Sequence, residues 1–211
     1  MLSSWLSLFL VCLLGAMSPG PSFVVVMRNA LYRGRSAGLA AAWAHASGIG
    51  FWALLTVTGL SVLLESVPAL YVTIAVLGGA FLVWLGSKSL LQTSEILDDT
   101  TAEKTGTPLQ GAREGALIAF LNPKIGLFFL ALFSPFVTYS ADITWKGLMV
   151  LTPFLTDGIW FSTVTLLLVR PRALSFLKLR ALLVNRISGI VLLLFAIGVF
   201  GNVVRFLFFQ A

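Results

Sequence analysis

Apolar runs of about 20 residues dominate this chain, and the short polar stretches between them hold nearly all of its charged residues. A helix of about that length crosses the hydrocarbon core of a bilayer. The pattern therefore predicts an all-α, polytopic membrane protein of six transmembrane helices. The predicted spans are Trp5 to Met27, Leu39 to Leu64, Ala69 to Leu91, Ala116 to Thr138, Gly147 to Val169 and Ile187 to Phe209.

Two polar segments interrupt the apolar pattern and define the organisation of the chain. Residues 93–110 are polar and acidic and contain Gly106 and Pro108, which is typical of a mobile linker. We therefore expect one transmembrane domain, residues 1–211, with a first half at about 1–92 and a second half at about 111–211. Residues 170–186 are basic with interleaved leucines, and they predict either an amphipathic helix at an anionic leaflet or a merely polar connection.

The composition agrees with a membrane protein and argues against several soluble classes. Of the 211 residues, 58% are hydrophobic and 10% are charged, whereas soluble domains have about 25% charged residues. The formal net charge is +6, but the basic residues lie at the ends of apolar runs rather than on one soluble face, which argues against nucleic-acid binding. Cys12 is the only cysteine, so the chain has no internal disulfide.

Lysine and arginine are distributed unequally between the two sides of the predicted membrane. Eleven of them lie at the loops after spans one, three and five, and the positive-inside rule places these loops in the cytoplasm. Both termini are then expected to face outward, and the two three-helix halves enter the membrane in opposite senses. The eleven residues are Arg28, Arg33, Arg35, Lys88, Lys104, Arg113, Arg170, Arg172, Lys178, Arg180 and Arg186.

Two proline motifs interrupt spans one and four, at corresponding places in the two halves. Proline removes a backbone N–H donor and clashes with the preceding turn, so each motif should break its helix and leave backbone groups that lipid cannot satisfy. Measured along the helix, Ser18 lies about 20 Å and Asn122 about 9 Å from the start of its span. The candidate residues are Ser18, Pro19, Gly20 and Pro21 in the first motif and Asn122, Pro123 and Lys124 in the second.

Each proline motif also carries a signal for the start of a new helix. Ser18 and Asn122 are favourable N-cap residues, and each is followed by proline, which is favoured at the first helical position. A helix that begins inside the membrane directs its positive end at anions, and transporters use such ends to bind a substrate carboxylate. The alternative is an ordinary proline kink, but two motifs in matched positions favour a central binding site.

Lys124 and Asp157 are the charged residues that lie most clearly inside predicted spans, and an intramembrane charge indicates a functional role. Asp157 is suited to bind a substrate ammonium group or to carry a proton, and Lys124 is suited to hold a carboxylate or to neutralise Asp157. The structural alternative is a Lys124 to Asp157 ion pair that only makes both charges tolerable in the membrane.

His45 is the only histidine and lies in a stretch of span two that is rich in alanine, serine and glycine. Small residues favour close helix packing, so His45 is expected to hydrogen-bond across a helix interface, with a cavity-lining or proton-carrying role as the alternative. It has no accompanying Cys or carboxylate cluster that would indicate a metal site. Gly86, Gly189 and Gly198 are likewise interpreted as packing positions.

The sequence lacks the motifs of enzymes and of nucleotide-driven pumps. It contains no glycine-rich phosphate loop, catalytic triad or zinc-ligand spacing. We therefore expect no enzymatic activity and no cofactor.

Three motifs, at Met17 to Pro21, Gly79 to Gly86 and Leu121 to Lys124, follow one another with a characteristic spacing. In these motifs the chain resembles the LysE/RhtB amino-acid exporters, in particular their threonine and homoserine efflux branch. The resemblance implies secondary export of amino acids across the inner membrane of bacteria, coupled to proton entry, and it places the two proline motifs in the transport path. Residues 44–47 and 156–158 depart from the family pattern and leave the particular amino acid open.

These observations predict a secondary active exporter of small neutral amino acids, similar to threonine or homoserine, that works by proton antiport and alternating access. Few fixed charges lie in the spans, so a zwitterion fits better than a dibasic substrate. The expected partners are an amino acid, the proton and the lipid bilayer, and the small-residue faces are compatible with a homodimer. The alternative is a channel-like or cation efflux protein of similar topology, which would require rings of acids or thiols.

Overall fold

Helices form all of the regular structure in the part of the chain that the computed structural model describes, residues 2–18, 20–91, 106–137, 142–168 and 171–209. The predicted all-α class is confirmed for these residues. Their helices are α1 (Leu2–Met17), α2 (Pro21–Tyr32), α3 (Arg35–Ser66), α4 (Pro68–Leu91), α5 (Pro108–Phe120), α6 (Pro123–Val137), α7 (Ile143–Leu168) and α8 (Pro171–Phe209).

Four helices, α3, α4, α7 and α8, are each long and apolar enough to cross a membrane as one element. The other described helices form two bent pairs, α1 with α2 and α5 with α6, and each pair meets the same criteria of length and composition when it is taken as one span. The described residues thus accommodate the six predicted spans, and the two broken spans are the two that contain the proline motifs.

The two breaks lie at similar distances from the start of their helices. The helix axis bends by 60° between α1 and α2 and by 53° between α5 and α6. The helix before the first break has 16 residues and the helix before the second has 13. The distances of Ser18 and Asn122 from the starts of their helices therefore differ by less than the sequence predicts.

The second break lies farther along its span than the sequence predicts, because α5 begins at Pro108 and not at Ala116. The Thr107 hydroxyl accepts a hydrogen bond from the Gln110 amide, and the Gln110 side chain accepts one from the Thr107 amide. This reciprocal cap fixes the first turn of the helix. The last three residues of the predicted linker, 108–110, are consequently helical, whereas residues 93–105 of that linker lie outside the described part of the structure.

Two further helices are longer than the sequence predicts. α7 begins at Ile143 rather than Gly147, because the Asp142 carboxylate accepts a hydrogen bond from the Thr144 amide at 2.9 Å and caps the first turn. α8 is continuous over 39 residues from Pro171 to Phe209. Its first part covers the basic segment, which is therefore helical from Pro171 and continuous with the sixth span, and its two interpretations stay predictions.

Small residues bring α3 and α5 into backbone contact. A Cβ atom at Gly111 or Gly115 would collide with the carbonyl oxygen of Ala37 or Ala41, respectively, so only glycine permits this approach. The close packing predicted for the small residues around His45 is thus confirmed. It ties α5, the first element of the second half, to a helix of the first half.

Glycines also set the contact of α4 with α8. The carbonyl oxygen of Gly189 lies 2.9 Å from the position that a Cβ of Gly86 would occupy, and the reciprocal distance is 2.8 Å. These two predicted packing positions are confirmed. Gly198 is different, because a Cβ there would meet no described atom within 4 Å, and its predicted packing role is wrong.

The largest apolar cluster of the described residues joins α1, α3, α6 and α7 beside both breaks. Leu8, Leu132, Phe133 and Met149 are fully buried in it. Since lipid tails are as apolar as these side chains, the cluster stabilises the fold by close packing more than by removal from water.

A polar cluster joins the C-terminal part of α2 to the middle of α5. The Oε2 atom of Glu114 accepts hydrogen bonds from Arg28 and Asn29, both at 2.9 Å, and its Oε1 atom accepts one from Arg33 at 2.6 Å. Arg33 also donates to the side-chain oxygen of Asn29 at 3.0 Å. Asn29 is completely buried, so these bonds satisfy groups that have no access to solvent.

Candidate functional site

The two helix breaks line a single cavity of about 120 Å³. Ser18, Gly20, Pro21 and Ser22 contribute from the first break and Asn122 from the second. The structure thus brings the two proline motifs together, although they are about 100 residues apart in sequence. The participation of these residues in binding stays a prediction.

The first break leaves a helix start without a side-chain cap. The amide of Ser18 donates to the carbonyl of Leu14 and closes the last turn of α1, and α2 begins only at Pro21. Gly20 is the N-cap residue, in extended conformation and with no side chain to accept a hydrogen bond. The prediction that Ser18 is the N-cap is therefore wrong. Pro19 lies outside the described residues.

The consequence is a set of backbone donors at the cavity. The first amides of a helix have no intrahelical acceptor, and Pro21 has no amide hydrogen at all. Because the amide of Val24 donates to Gly20, the N–H groups of Ser22 and Phe23 are the ones that the start of α2 leaves open. Together with the positive end of the helix dipole, they favour an anion.

The second break follows the predicted pattern more closely. α5 ends where the amide of Leu121 donates to Leu117, and α6 begins at Pro123, directly after Asn122. The amide of Ile125 donates to the carbonyl of Asn122 at 3.0 Å. The side chains of Pro123 and Lys124 lie outside the described part of the structure, so the predicted roles of Lys124 stay predictions.

Side chains from neighbouring helices donate to a carbonyl group at each break. The Ser188 hydroxyl of α8 donates to the carbonyl of Leu14 at 3.1 Å, in the last turn of α1. The indole N–H of Trp52 in α3 donates to the carbonyl of Ala119 at 3.1 Å, in the last turn of α5. Helix ends inside a membrane require such partners, because lipid offers none. Sequence reasoning missed both residues, and nothing in their local sequence indicates these contacts.

His45 and Asp157 form a buried pair at the wall of the same cavity. The Nδ1 atom of His45 lies 2.7 Å from Oδ2 of Asp157, and the two side chains are 3% and 7% exposed. The ring of Phe161 packs edge-on against the imidazole at a centroid distance of 5.3 Å. His45 is on α3 and Asp157 on α7, so the predicted hydrogen bond of His45 across a helix interface is confirmed, and so is its cavity-lining position. The partner of Asp157 that the structure shows is His45.

The other ring nitrogen of His45, Nε2, is buried and has no hydrogen-bond partner among the described residues. When Nδ1 carries the ring proton and donates it to Asp157, Nε2 is an acceptor, and when the ring is doubly protonated, Nε2 is a donor. The pair can therefore hold or release one proton and change the hydrogen-bonding character of the wall.

The remaining cavity wall is mainly apolar, with a few hydroxyl groups. Helices α1 and α6 supply part of it, together with two packed helix pairs, α3 with α7 and α4 with α8. Among the described residues, no group of three or more His, Cys, Asp or Glu side chains is arranged to hold a metal ion. Further lining residues are Cys12, Ile49, Phe129 and Phe161 on the apolar part and Ser89 and Ser188 on the polar part.

Comparison with known proteins agrees with this architecture. The model of the LysE type translocator family matches residues 13–201. The chain belongs to this family. Membership confirms the resemblance indicated by the three sequence motifs and describes the molecule as a membrane translocator.

Several relatives of this LysE type translocator are similar over most of their length. The uncharacterized membrane protein YrhP of Bacillus subtilis is 31% identical over 153 residues, which cover 68% of this chain and 72% of the relative. An uncharacterized membrane protein of Haemophilus influenzae is 29% identical over 196 residues, or 90% of this chain and 92% of the relative. The threonine efflux protein of Salmonella typhi is 28% identical over 177 residues, or 82% and 85%. No solved structure matches the chain.

Proposed function

We propose that this LysE type translocator exports small neutral amino acids, of the threonine and homoserine kind, in exchange for protons. The observation that carries the proposal is the buried His45–Asp157 pair at a cavity lined by both helix breaks. An ionisable pair inside a membrane domain is a functional feature by default. The threonine efflux proteins among the relatives support this substrate class.

The substrate carboxylate binds at the start of α2. Gly20 provides no capping side chain, and the open N–H groups of Ser22 and Phe23 lie at the positive end of the helix. Half-helix N-termini bind substrate carboxylates in other secondary transporters with broken helices. The absence of a Cβ at Gly20 lets a carboxylate approach the backbone closely.

The substrate ammonium group binds at the His45–Asp157 pair. In the state with one proton on the ring, the pair carries a net charge of −1, and Nε2 of His45 and the carboxylate of Asp157 both accept hydrogen bonds. A zwitterion then places its negative end at α2 and its positive end at the pair. Among the described lining residues Asp157 is the only carboxylate, which suits a substrate with one ammonium group better than a dibasic one.

Proton exchange follows from the same pair. One additional proton brings the net charge of the pair to 0 and converts Nε2 of His45 from an acceptor to a donor. An ammonium group then loses both its counter-charge and its acceptor. Because the proton and the ammonium group exclude one another, binding a proton on the outer side releases the amino acid, and releasing the proton on the inner side restores the site.

Alternating access comes from movement of the two halves around this cavity. The first half contributes α1 to α4 and the second α5 to α8, and the distribution of basic residues predicts that they have inverted orientations with both termini outside the cytoplasm. His45 and Asp157 belong to different halves, so the pair joins the two bodies that must rearrange.

Efflux from dipeptide-loaded bacterial cells tests the substrate class. Cells that express the chain are loaded with dipeptides of threonine, homoserine, serine, valine or lysine, and free amino acids are measured in the medium. We expect faster release of threonine and homoserine than in cells with an empty vector, and no effect on lysine. Equal release of every neutral amino acid with and without the protein contradicts export.

Purified protein in proteoliposomes tests the coupling. Threonine-loaded vesicles are placed in buffers that impose an inward, zero or outward proton gradient, with the membrane potential held at zero. We expect an inward proton gradient to accelerate threonine release and an outward gradient to slow it. Release that is independent of the gradient removes the proton from the mechanism while leaving the substrate class intact.

A further inference from the structure

The cavity has a second polar wall that the proposed charge chemistry does not use. Ser89 of α4 and Ser188 of α8 line the cavity. They come from different helices than His45 and Asp157, which lie on α3 and α7. Neither serine is needed to hold a carboxylate or an ammonium group in the proposed site. The protein groups proposed to bind the carboxylate and the ammonium group therefore lie on different helices from the two serine hydroxyls.

The two hydroxyl groups differ in their hydrogen bonding. Ser89 is 5% exposed, and no hydrogen bond joins its side chain to another described residue. Ser188 is 2% exposed and donates its hydroxyl proton to the carbonyl of Leu14, which fixes its orientation and leaves its lone pairs as acceptors. Because Ser89 lines the cavity, its hydroxyl is available to a ligand that can hydrogen-bond to it.

We propose that Ser89 and Ser188 bind the side-chain hydroxyl of the substrate and make the transporter selective for hydroxyl amino acids over their aliphatic isosteres. The inference rests on the proposed function and names the specificity of that site. The substrate hydroxyl donates its proton to Ser188 and accepts one from Ser89. Valine has the shape of threonine with a methyl group in place of the hydroxyl, so it leaves Ser89 unpaired. Sites built to bind a hydroxyl discriminate in this way against analogues that lack it.

The surroundings of the two serines fit the rest of a threonine side chain. Leu85 lies one turn before Ser89 on α4, Leu192 lies one turn after Ser188 on α8, and both line the cavity. They offer an apolar surface for the methyl group of threonine or the methylene groups of homoserine. A charged side chain would find no counter-ion on this wall among the described residues.

Competition in proteoliposomes tests the selectivity. Counterflow of radiolabelled threonine is measured against unlabelled threonine and valine, and, as a second isosteric pair, homoserine and norvaline. We expect the wild-type protein to prefer the hydroxyl member of each pair. Ser89→Ala should lower this preference by about three- to tenfold, through a higher KM for threonine and an unchanged KM for valine. Ser87→Ala, two residues away on α4 and not at the cavity, is the matched control and should leave the preference unchanged.

Two further variants keep the test decisive. Ser188→Ala should lower the same preference. Ser89→Cys, which keeps a side chain of similar size but forms only weak hydrogen bonds, should behave as Ser89→Ala. An unchanged ratio in these variants, or an equal loss of threonine and valine transport, overturns the inference. A wild-type protein that carries neither amino acid contradicts the proposed function itself, which distinguishes that failure from a failure of the serine site.

Discussion

The Nδ1 atom of His45 lies 2.7 Å from the Oδ2 atom of Asp157, although 112 residues separate the two in sequence. The contact connects α3 of the first half to α7 of the second at the wall of the cavity. It combines a carboxyl group, which can carry a negative charge, with an imidazole ring, which can accept a proton. The two functions can be separated by substitution, because asparagine can replace either residue and keep a hydrogen-bonding group two bonds from Cβ.

Replacement of Asp157 by asparagine is expected to abolish transport. Asp157→Asn removes the charge that binds the ammonium group and leaves a side chain of nearly the same size. Loss of a buried charged partner reduces binding by about a hundredfold or more. The measurement is threonine counterflow in proteoliposomes, together with the amount and monodispersity of the protein in detergent, which should both remain normal.

Asp142→Asn is the matched control for this change. Asp142 is an exposed acid that caps the first turn of α7 by accepting a hydrogen bond from Thr144, and asparagine can accept the same bond. We expect its counterflow to equal that of the wild-type protein. Full, gradient-sensitive export by the Asp157→Asn variant would contradict both the ammonium site and the proton-carrying role.

Replacement of His45 by asparagine is expected to uncouple transport from protons. The amide nitrogen of asparagine is two bonds from Cβ, as Nδ1 is in histidine, so His45→Asn can still donate to Asp157 but cannot take up a proton. Threonine exchange at equal pH should continue within about tenfold of the wild-type rate. The acceleration of export by an inward proton gradient should disappear. Gradient-driven export of wild-type size in this variant would show that His45 is not the proton carrier.

The sequence was sufficient to predict the spans and the breaks, because both depend on the local sequence. Apolar length identifies a span, and proline is favoured at the first helical position, which Pro21 occupies in α2 and Pro123 in α6. The sequence predicts Ser18 as the N-cap of α2, whereas Gly20 occupies that position, because the first motif contains two prolines and α2 begins at the second, Pro21.

The pairing of Asp157 could not be predicted from the sequence. Lys124 is a candidate partner from the sequence because it has the opposite charge, whereas His45 lies in a different half and carries no obligatory charge. Which residues meet depends on how α3 packs on α7, and this depends on many small contacts such as that of Gly158 with Trp43. The carbonyl partners Ser188 and Trp52 were missed for the same reason.

The lone cysteine gives a test of the cavity that needs no charged residue. Cys12 lies on α1, is buried and lines the cavity. Cys12→Phe places a bulky ring in a space of about 120 Å³ and should block counterflow of all substrates. Cys12→Ala only enlarges this space and should retain transport within about tenfold of the wild-type rate. Equal transport by both variants would show that substrate does not pass this wall, provided that both are monodisperse in detergent.

The cluster around Glu114 should contribute to stability, and two neighbouring arginines offer a matched comparison. Arg33 is 14% exposed and donates to Glu114 and to the buried Asn29, whereas Arg35 is exposed and forms no ion pair with a described residue. Arg33→Gln leaves these partners incompletely satisfied and should lower the free energy of unfolding by about 1–3 kcal/mol. Arg35→Gln should change it by less than about 0.5 kcal/mol, since isolated exposed charges contribute little.

The measurement is thermal unfolding of the purified protein in detergent at low and at high salt. Similar melting temperatures for the two variants would mean that α2 and α5 are held together by the packing of each on α3 rather than by Glu114.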